Sequence, residues 1–409
     1  MANRFEESTL RGMKVSVRGS REAVAIDDGV FAAVLSVFPE EELLQRPIFA
    51  TAVQDGEIDF RALQKECDVV ALPWQLFFLD PASFAREMGN IEKNRNAKLT
   101  SRFLAKRTGS GTVSSRCILD RLPRAQGFLC TSRKFPTNPF LGALGSKSAA
   151  DAARAIAKHF ELDLAAFRSK PKERALQYLV SRIEKKQINI CQGVLTNKIL
   201  PQFKGVRAVY KNTSGFVIHD DGVPFIFLPS EVNPDEAAGR QIYTLIYLLA
   251  HIGLKSYSYL MEKDFTAKAL AARGLDKRLH DITAEFLLPT EVTNKLRQRT
   301  VTADTRDQLS RDYKLTPAAV VVTLRRRGII SQQECTALMP APSTKPKRPQ
   351  VRSAAIDTSV RKFAGLHVFE AINAGIRSKT TLTPIQAQYL IFGSVNKRKF
   401  REYRERLGL

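Results

Sequence analysis

The sequence predicts an α+β fold, with helices packed on a small antiparallel sheet and helical domains on either side. In residues 149–187, apolar side chains recur at the i, i+3, i+4 spacing of amphipathic helices. Four short β-type runs separated by Gly, Asp and Pro then predict strands: INICQGVL, VRAVYK, SGFVIHD and VPFIFLP. The Asp-Gly pair within His219–Gly222 predicts a hairpin turn between the last two. Residues 234–254 follow and are apolar on almost every side, which predicts a helix buried in the core.

The composition is that of a soluble cytoplasmic protein. Apolar residues make up 44% of the 409, an ordinary share for a globular chain. The five cysteines form no C-x-x-C pair, which excludes a disulfide framework and a zinc finger. The first residues lack the apolar segment of a signal peptide, and no run approaches the roughly 18–20 apolar residues of a membrane span.

Charge is the strongest compositional signal of the chain. Lys and Arg number 64 against 41 Asp and Glu, a formal net charge of +23. Residues 91–140 carry an excess of Lys and Arg, and a second excess begins at Ser343. Such a surplus suits a polyanion, because each neutralised phosphate releases counterions. We therefore expect contact with duplex DNA, although a basic surface without such a partner gives the same count.

The middle of the chain carries several motif residues in a fixed order. Gly215-Phe216 stands in the predicted hairpin, Asn233 follows the last predicted strand, Arg240 opens the long apolar helix, and Ala284–Pro289 reads AEFLLP. These residues resemble the Gly-Phe hairpin, strand-end Asn, helix-opening Arg and A-E-L-L-M-P run of the ImmA/IrrE family of zincin-like metallopeptidases. The resemblance covers residues 149–330 and implies a zincin-like domain.

The catalytic motif of that family is degenerate here. Zinc peptidases place two His one helical turn apart to hold Zn²⁺, and a Glu beside the first polarises the bound water. The family's H-E-x-x-H aligns with Tyr247, Leu248 and His251 at its first, second and last positions, and Asp276 stands near the third ligand. A leucine accepts no proton, and one His with one distant Asp is a poor zinc site.

We therefore predict a protein without enzyme activity: no catalytic residue, no bound metal and no cofactor. Two interpretations of His251 stay open. It is either a weakened zinc ligand or a helix histidine satisfied by a backbone or tyrosine partner, and we prefer the second.

A helix-turn-helix is predicted after the zincin-like domain. Thr316 is a natural N-cap with Pro317 at the first helical position, and Gly328 follows the second helix. Thr316, Arg325, Arg326 and Arg327 are the predicted DNA contacts, since a second helix of this shape usually enters the major groove. The alternative is a hairpin that only packs on the core, with its arginines solvated at a helix end.

The N-terminal region resembles the XRE-type helix-turn-helix often fused ahead of this peptidase. Its predicted helices include Val30–Phe38 and Phe60–Val69. The presumed recognition segment offers Arg46 as its only cation and carries Asp55 and Glu57, so we expect a structural or dimerising remnant.

At the other end, Thr383-Pro384 marks a helix start, and a cationic last helix follows. Lys397, Arg398, Lys399 and Arg401 are predicted there to grip phosphates, with a solvated basic tail as the alternative.

Six segments are expected along the chain. They are a helical, helix-turn-helix-like domain (1–108), a basic linker (109–148), the zincin-like domain (149–300), a helix-turn-helix (301–338), a Pro/Lys linker (339–350) and a basic helical module (351–409).

The predicted function is that of a DNA-binding regulator on an inactive peptidase scaffold. The resemblance implies control linked to a phage, a mobile element or a toxin–antitoxin system. The alternative is an interaction module, an antitoxin or inhibitor that docks on a partner protein with little DNA binding. A zinc peptidase with a rebuilt site is a third option. No membrane is expected, and the oligomeric state stays open, with a homodimer as one option.

Overall fold

The computed structural model describes most of the chain, in two compact units. The first unit comprises Met1–Ala125, Thr196–Lys211 and Ser378–Leu409, and the second Gln126–Leu195 and Asn212–Arg377. The residues described are 12–16, 23–36, 47–64, 74–87, 89, 122, 125–192, 215–228, 234–256, 274–340, 355–378, 382–392 and 396–409.

Several predicted features lie outside these residues. They are the VRAVYK strand, Asn233, Arg46, most of the basic stretch 91–140 and nearly all of the linker 339–350.

The elements are numbered here along the chain. The strands are β1 Lys14–Ser16, β2 Ala23–Ala25, β3 Glu57–Asp59, β4 Asn189–Gln192, β5 Phe216–Ile218 and β6 Phe225–Leu228. The helices are α1 Asp28–Ser36, α2 Pro47–Asp55, α3 Ala149–His159, α4 Leu164–Ser169, α5 Lys172–Glu184, α6 Pro234–Gly253, α7 Gly274–Leu287, α8 Thr290–Asn294, α9 Ala303–Asp312, α10 Pro317–Arg326, α11 Gln332–Leu338, α12 Ile356–Ala364, α13 Leu366–Ser378, α14 Pro384–Phe392 and α15 Lys397–Leu407.

The first unit contains a three-stranded sheet, whereas the sequence predicts only helices in its N-terminal part. β1 pairs antiparallel with β2 and parallel with β3. A core that includes Phe31, Phe49 and Phe77 joins these strands to α1 and α2. The all-helical prediction was wrong because strands of three residues are too short to show an alternating apolar pattern.

The second unit is built around a mixed sheet of order β4-β6-β5. β5 and β6 form the predicted antiparallel hairpin, and Asp220 Oδ1 closes its turn by accepting from Gly222 N and Val223 N at 2.8 Å each. β4 runs parallel to β6, so the prediction of a purely antiparallel sheet was wrong. Apolar runs identify strands but do not fix their direction.

Helix α6 forms the centre of this unit. It packs on β5 and β6, between α5 and α7, and α7 in turn packs on α3. Its middle residues are fully or almost fully buried, as the apolar pattern predicts. In the part of the chain that the structure describes, no helix combines the length and apolar content needed to cross a membrane.

The hairpin of α9 and α10 belongs to the same core. Leu315, Val320 and Leu324 join the apolar cluster that contains α6. A Cβ at Gly239 of α6 would lie 3.2 Å from the carbonyl carbon of Leu315, so the turn of the hairpin rests directly on α6. Lys172 Nζ of α5 donates to Leu315 O at 2.6 Å and so links this turn to α5 as well.

Helices α12 and α13 dock on β4 and α5. The buried carboxylate of Glu184 pairs with both terminal nitrogens of Arg361, at 3.2 and 2.7 Å, and accepts from Leu366 N at 2.8 Å. Asn189 of β4 donates to Ala364 O at 2.8 Å. Gly365, with φ 78°, is required at the junction because a Cβ there would lie 2.4 Å from Asn189 Nδ2.

Candidate functional site

The residues aligned with the family's catalytic motif, Tyr247, Leu248 and His251, lie on α6 and are buried in the second unit. Leu248 is fully buried, and a Cβ at Gly215 would lie 3.0 Å from Leu248 Cδ1. Leu248 therefore packs against the residue that precedes β5. The position where the family carries its catalytic base is an apolar packing contact, which cannot accept a proton.

Two tyrosines and two histidines form a buried cluster between α6 and α7. The Tyr247 ring centroid lies 5.1 Å from that of His251 and 4.9 Å from that of His280. The Tyr243 hydroxyl lies 2.9 Å from His280 Nδ1, and His251 Nδ1 lies 3.0 Å from Ser256 Oγ. Both imidazoles thus have hydrogen-bond partners, as the preferred interpretation of His251 requires, although a serine provides the partner of His251.

His280 is the member of this cluster that no sequence motif assigns. It lies one helical turn after Asp276 on α7, and residues at that spacing share a helix face. The spacing is the signal that could have identified it. Asp276 is exposed at the first turn of α7. Burial raises the pKa of the Tyr247 hydroxyl, and the negative charge of Asp276 adds to this effect. The imidazole of His280 is the α7 side chain in ring contact with Tyr247.

Burial keeps the cluster neutral. It lowers the pKa of His251 to about 4. Burial, together with the nearby charge of Arg326, lowers the pKa of His280 to about 3. Burial also raises the pKa of Tyr243 and Tyr247 above the usual tyrosine value. At neutral pH the four side chains are therefore uncharged hydrogen-bonding groups.

The residues present do not fit a catalytic zinc ion. Such a site needs three protein ligands around an open position, with a nearby carboxylate to activate water. Here Tyr247 and Leu248 occupy two of the required positions, and neither a phenol that its raised pKa keeps neutral nor a leucine replaces the missing imidazole and carboxylate. Among the described residues, no group of three or more His, Cys, Asp or Glu side chains has the arrangement of a metal site.

Helix α10, predicted to enter the major groove, is enclosed by the fold. Thr316 is its N-cap as predicted, with Oγ1 accepting from Ala319 N at 3.1 Å, and Thr316 itself is buried. The five residues of Val320–Leu324 are each at most 6% exposed. Five consecutive residues point to every side of a helix with 3.6 residues per turn, so the middle of α10 presents no face to a ligand.

The arginines at the end of α10 bind groups of their own unit. Arg326 pairs with Asp281 at 2.7 Å, and Arg327 pairs with Glu285 at 2.9 Å. Both arginine side chains are about one-seventh exposed. Arg327 also donates to two oxygens beyond Glu285: Leu288 O at 2.6 Å and Thr293 Oγ1 at 3.1 Å. These contacts hold α10 against α7, and they occupy the two guanidinium groups that would otherwise be available to bind phosphates.

The cations of the C-terminal helix are placed differently. Lys397, Arg398 and Arg401 of α15 are exposed, and Lys399 is partly buried. Of the residues predicted to contact nucleic acid, Lys397, Arg398 and Arg401 are the exposed ones.

The comparison with known families agrees with the position of the site. Residues 204–325 match the family described as Peptidase M78, IrrE N-terminal-like domain. The match spans β5 to α10 and less than a third of the chain, and it supports the resemblance to the ImmA/IrrE family with its metallopeptidase-like scaffold. Because it includes α9 and most of α10, these helices lie within the matched domain. No curated protein matches the chain.

The buried histidines predict loss of stability in acid. Their folded-state pKa values lie below the unfolded value of about 6.5, so the unfolded chain binds more protons as the pH falls. The contribution of these histidines to the free energy of unfolding is complete above about pH 6.5. As the pH falls towards 4 and below, the free energy of unfolding declines by up to about 1.4 kcal/mol per pH unit for each histidine. In urea unfolding measured from pH 7 to pH 4, the free energy of unfolding of His280→Gln should decline less steeply with falling pH than that of the wild type. Equal slopes would mean that His280 is charged in the fold.

Replacing Arg327 should destabilise the fold. Arg327→Ala leaves the Glu285 carboxylate, which is 11% exposed, without its charged partner, a loss of roughly 3–5 kcal/mol for a buried pair. Arg325→Ala is the matched control, since Arg325 donates to the exposed Gln332 at 3.2 Å and should change stability by about 1 kcal/mol or less. Chemical denaturation of both variants measures the difference. Equal losses of stability in the two variants would mean that the Arg327–Glu285 pair contributes no more than an exposed contact does.

Proposed function

We propose that the protein is a DNA-binding regulator built on a metallopeptidase-like scaffold that has lost its catalytic chemistry. The exposed basic half of α15 is the observation that carries the DNA part of this proposal. The net charge of +23 supports it, because a charge of this sign favours association with phosphate polymers. The family resemblance supports a regulatory role linked to a phage, a mobile element or a toxin–antitoxin system.

The buried cluster supports the loss of catalysis. A peptidase must bring water, a base and an electrophile to one open position. Leu248 fills the position of the base, and Tyr247 lies between His251 and His280 at ring-contact distances. We propose that these residues stabilise the contact between α6 and α7.

Zinc binding tests the inactive scaffold. We expect the purified chain, dialysed against micromolar zinc, to retain far less than one zinc per molecule, because Tyr247 and Leu248 stand where a ligand and the base are needed, and no metal-binding group of His, Cys, Asp or Glu occurs among the described residues. Metal analysis of wild type and His251→Ala measures it. About one zinc per chain in the wild type, lost in His251→Ala, would contradict the proposal and favour a rebuilt peptidase site.

Salt dependence tests the DNA part. Affinity for a random-sequence duplex should fall steeply with salt, with a log–log slope of about −0.9 per phosphate contact. Replacing Lys397 and Arg404 of α15 by Ala together should reduce the magnitude of the slope by roughly 1.8. The matched control replaces Arg154 and Lys158, two exposed cations of α3, and should leave the slope unchanged. A flat slope in the wild type would favour the protein-interaction alternative.

A further inference from the structure

Helix α15 is held firmly by its own segment of the chain. Asn396 caps it, with Oδ1 accepting from Lys399 N at 3.0 Å, and Gly408 ends it in the left-handed conformation, φ 63°. The buried side chain of Gln388 in α14 accepts from Asn396 N at 2.8 Å and so fixes the start of α15. A capped, anchored helix loses little conformational freedom when it binds a ligand.

The two faces of α15 differ in chemistry. Phe400 and Tyr403 are 7% and 0% exposed and define the buried face. Arg398 and Arg401 lie one turn apart on the opposite side, with Lys397 beside them, and all three are exposed. The two carboxylates of the helix, Glu402 and Glu405, follow one turn after Arg398 and Arg401 on the same side, so the cations lie towards the N-terminal end of this face and the carboxylates towards its C-terminal end. Among the described residues, no carboxylate pairs with any of these three cations.

We propose that α15 is the helix that reads base edges in the major groove of duplex DNA. Recognition helices present their N-terminal residues to the bases, and that is where Arg398 and Arg401 stand. Arginine binds the O6 and N7 of guanine with two hydrogen bonds, which makes it the commonest side chain in specific contacts. At 11 residues, α15 is about 16 Å long and of the diameter that a major groove admits.

The arrangement of α15 favours duplex DNA over other polyanions. An amphipathic helix on a membrane inserts an apolar face, and the apolar face of α15 is buried within the protein. The major groove of duplex RNA is too deep and narrow for side chains to read. This inference rests on the proposed function and goes further, because it assigns sequence reading to α15 where the motif alone favours α10.

The test uses the full-length chain. A preferred duplex is selected from a random pool, and binding to it is compared with binding to a scrambled duplex, the same sequence as duplex RNA and anionic vesicles. Arg398→Ala and Arg401→Ala should each weaken binding to the selected duplex by roughly 10- to 100-fold, with a much smaller loss on the scrambled one. Arg398→Lys should keep the affinity for scrambled DNA and lose the preference, because lysine keeps the charge without the two-pronged contact.

Arg404→Ala is the matched control. It removes an exposed cation from the C-terminal half of the same helix and should weaken both duplexes by the same small factor. Melting curves check that each variant is folded. If Arg398→Ala and Arg401→Ala weaken both duplexes equally, or if RNA or vesicles bind as well as the selected duplex, the base-reading assignment is overturned while DNA binding stands. If no duplex binds the wild type, the proposed function itself fails.

Discussion

The enclosure of α6 on every side is the constraint on which the second unit depends. The helix has the sheet on one side, α5 and α7 on others, and the turn before α10 resting on Gly239. Polar groups on such a helix lose their contact with water and cost free energy unless they find partners nearby. Tyr243 and His251 meet this requirement with His280 and Ser256. The cluster thus follows from the burial of α6.

Helix α7 connects the cluster to the hairpin that follows it. His280 faces Tyr243 and Tyr247, while Asp281 and Glu285 of the same helix hold Arg326 and Arg327. A substitution in the cluster would therefore also disturb the ion pairs that fasten α10. Because these charges neutralise one another inside the unit, they leave little field for an external anion. Lys397, Arg398 and Arg401 of α15, in contrast, are exposed.

Much of this fold could be predicted from the sequence. The apolar run of α6, the hairpin at Asp220 and the N-cap at Thr316 are local patterns, and the structure confirms each. The parallel pairing of β4 with β6 could not be predicted, because strand direction depends on contacts between distant segments. The strands of the first unit are too short for an alternating pattern to appear.

The candidate site shows the same distinction between local features, which the sequence reveals, and contacts between distant segments, which it does not. The Tyr and Leu at positions 247 and 248 can be read directly from the sequence, whereas the contact of Tyr247 with His280 joins two helices and depends on their packing. In the same way, a capped helix ending in arginines has the same pattern whether it lies in a groove of DNA or in a core.

The difference between α10 and α15 shows what decides whether such a helix is buried in a core or stays exposed to a nucleic acid. α10 has apolar residues or threonine at each of the five positions of Val320–Leu324, so every side of the helix gains free energy by burial, and the terminal arginines follow it into contact with α7. α15 confines its large apolar side chains to the side of Phe400 and Tyr403, and it has charged residues elsewhere. Burying that second face would desolvate several charges at once, which keeps it at the surface. The distribution of apolar residues around a helix, and not its terminal arginines, therefore determines which helix is available to a nucleic acid.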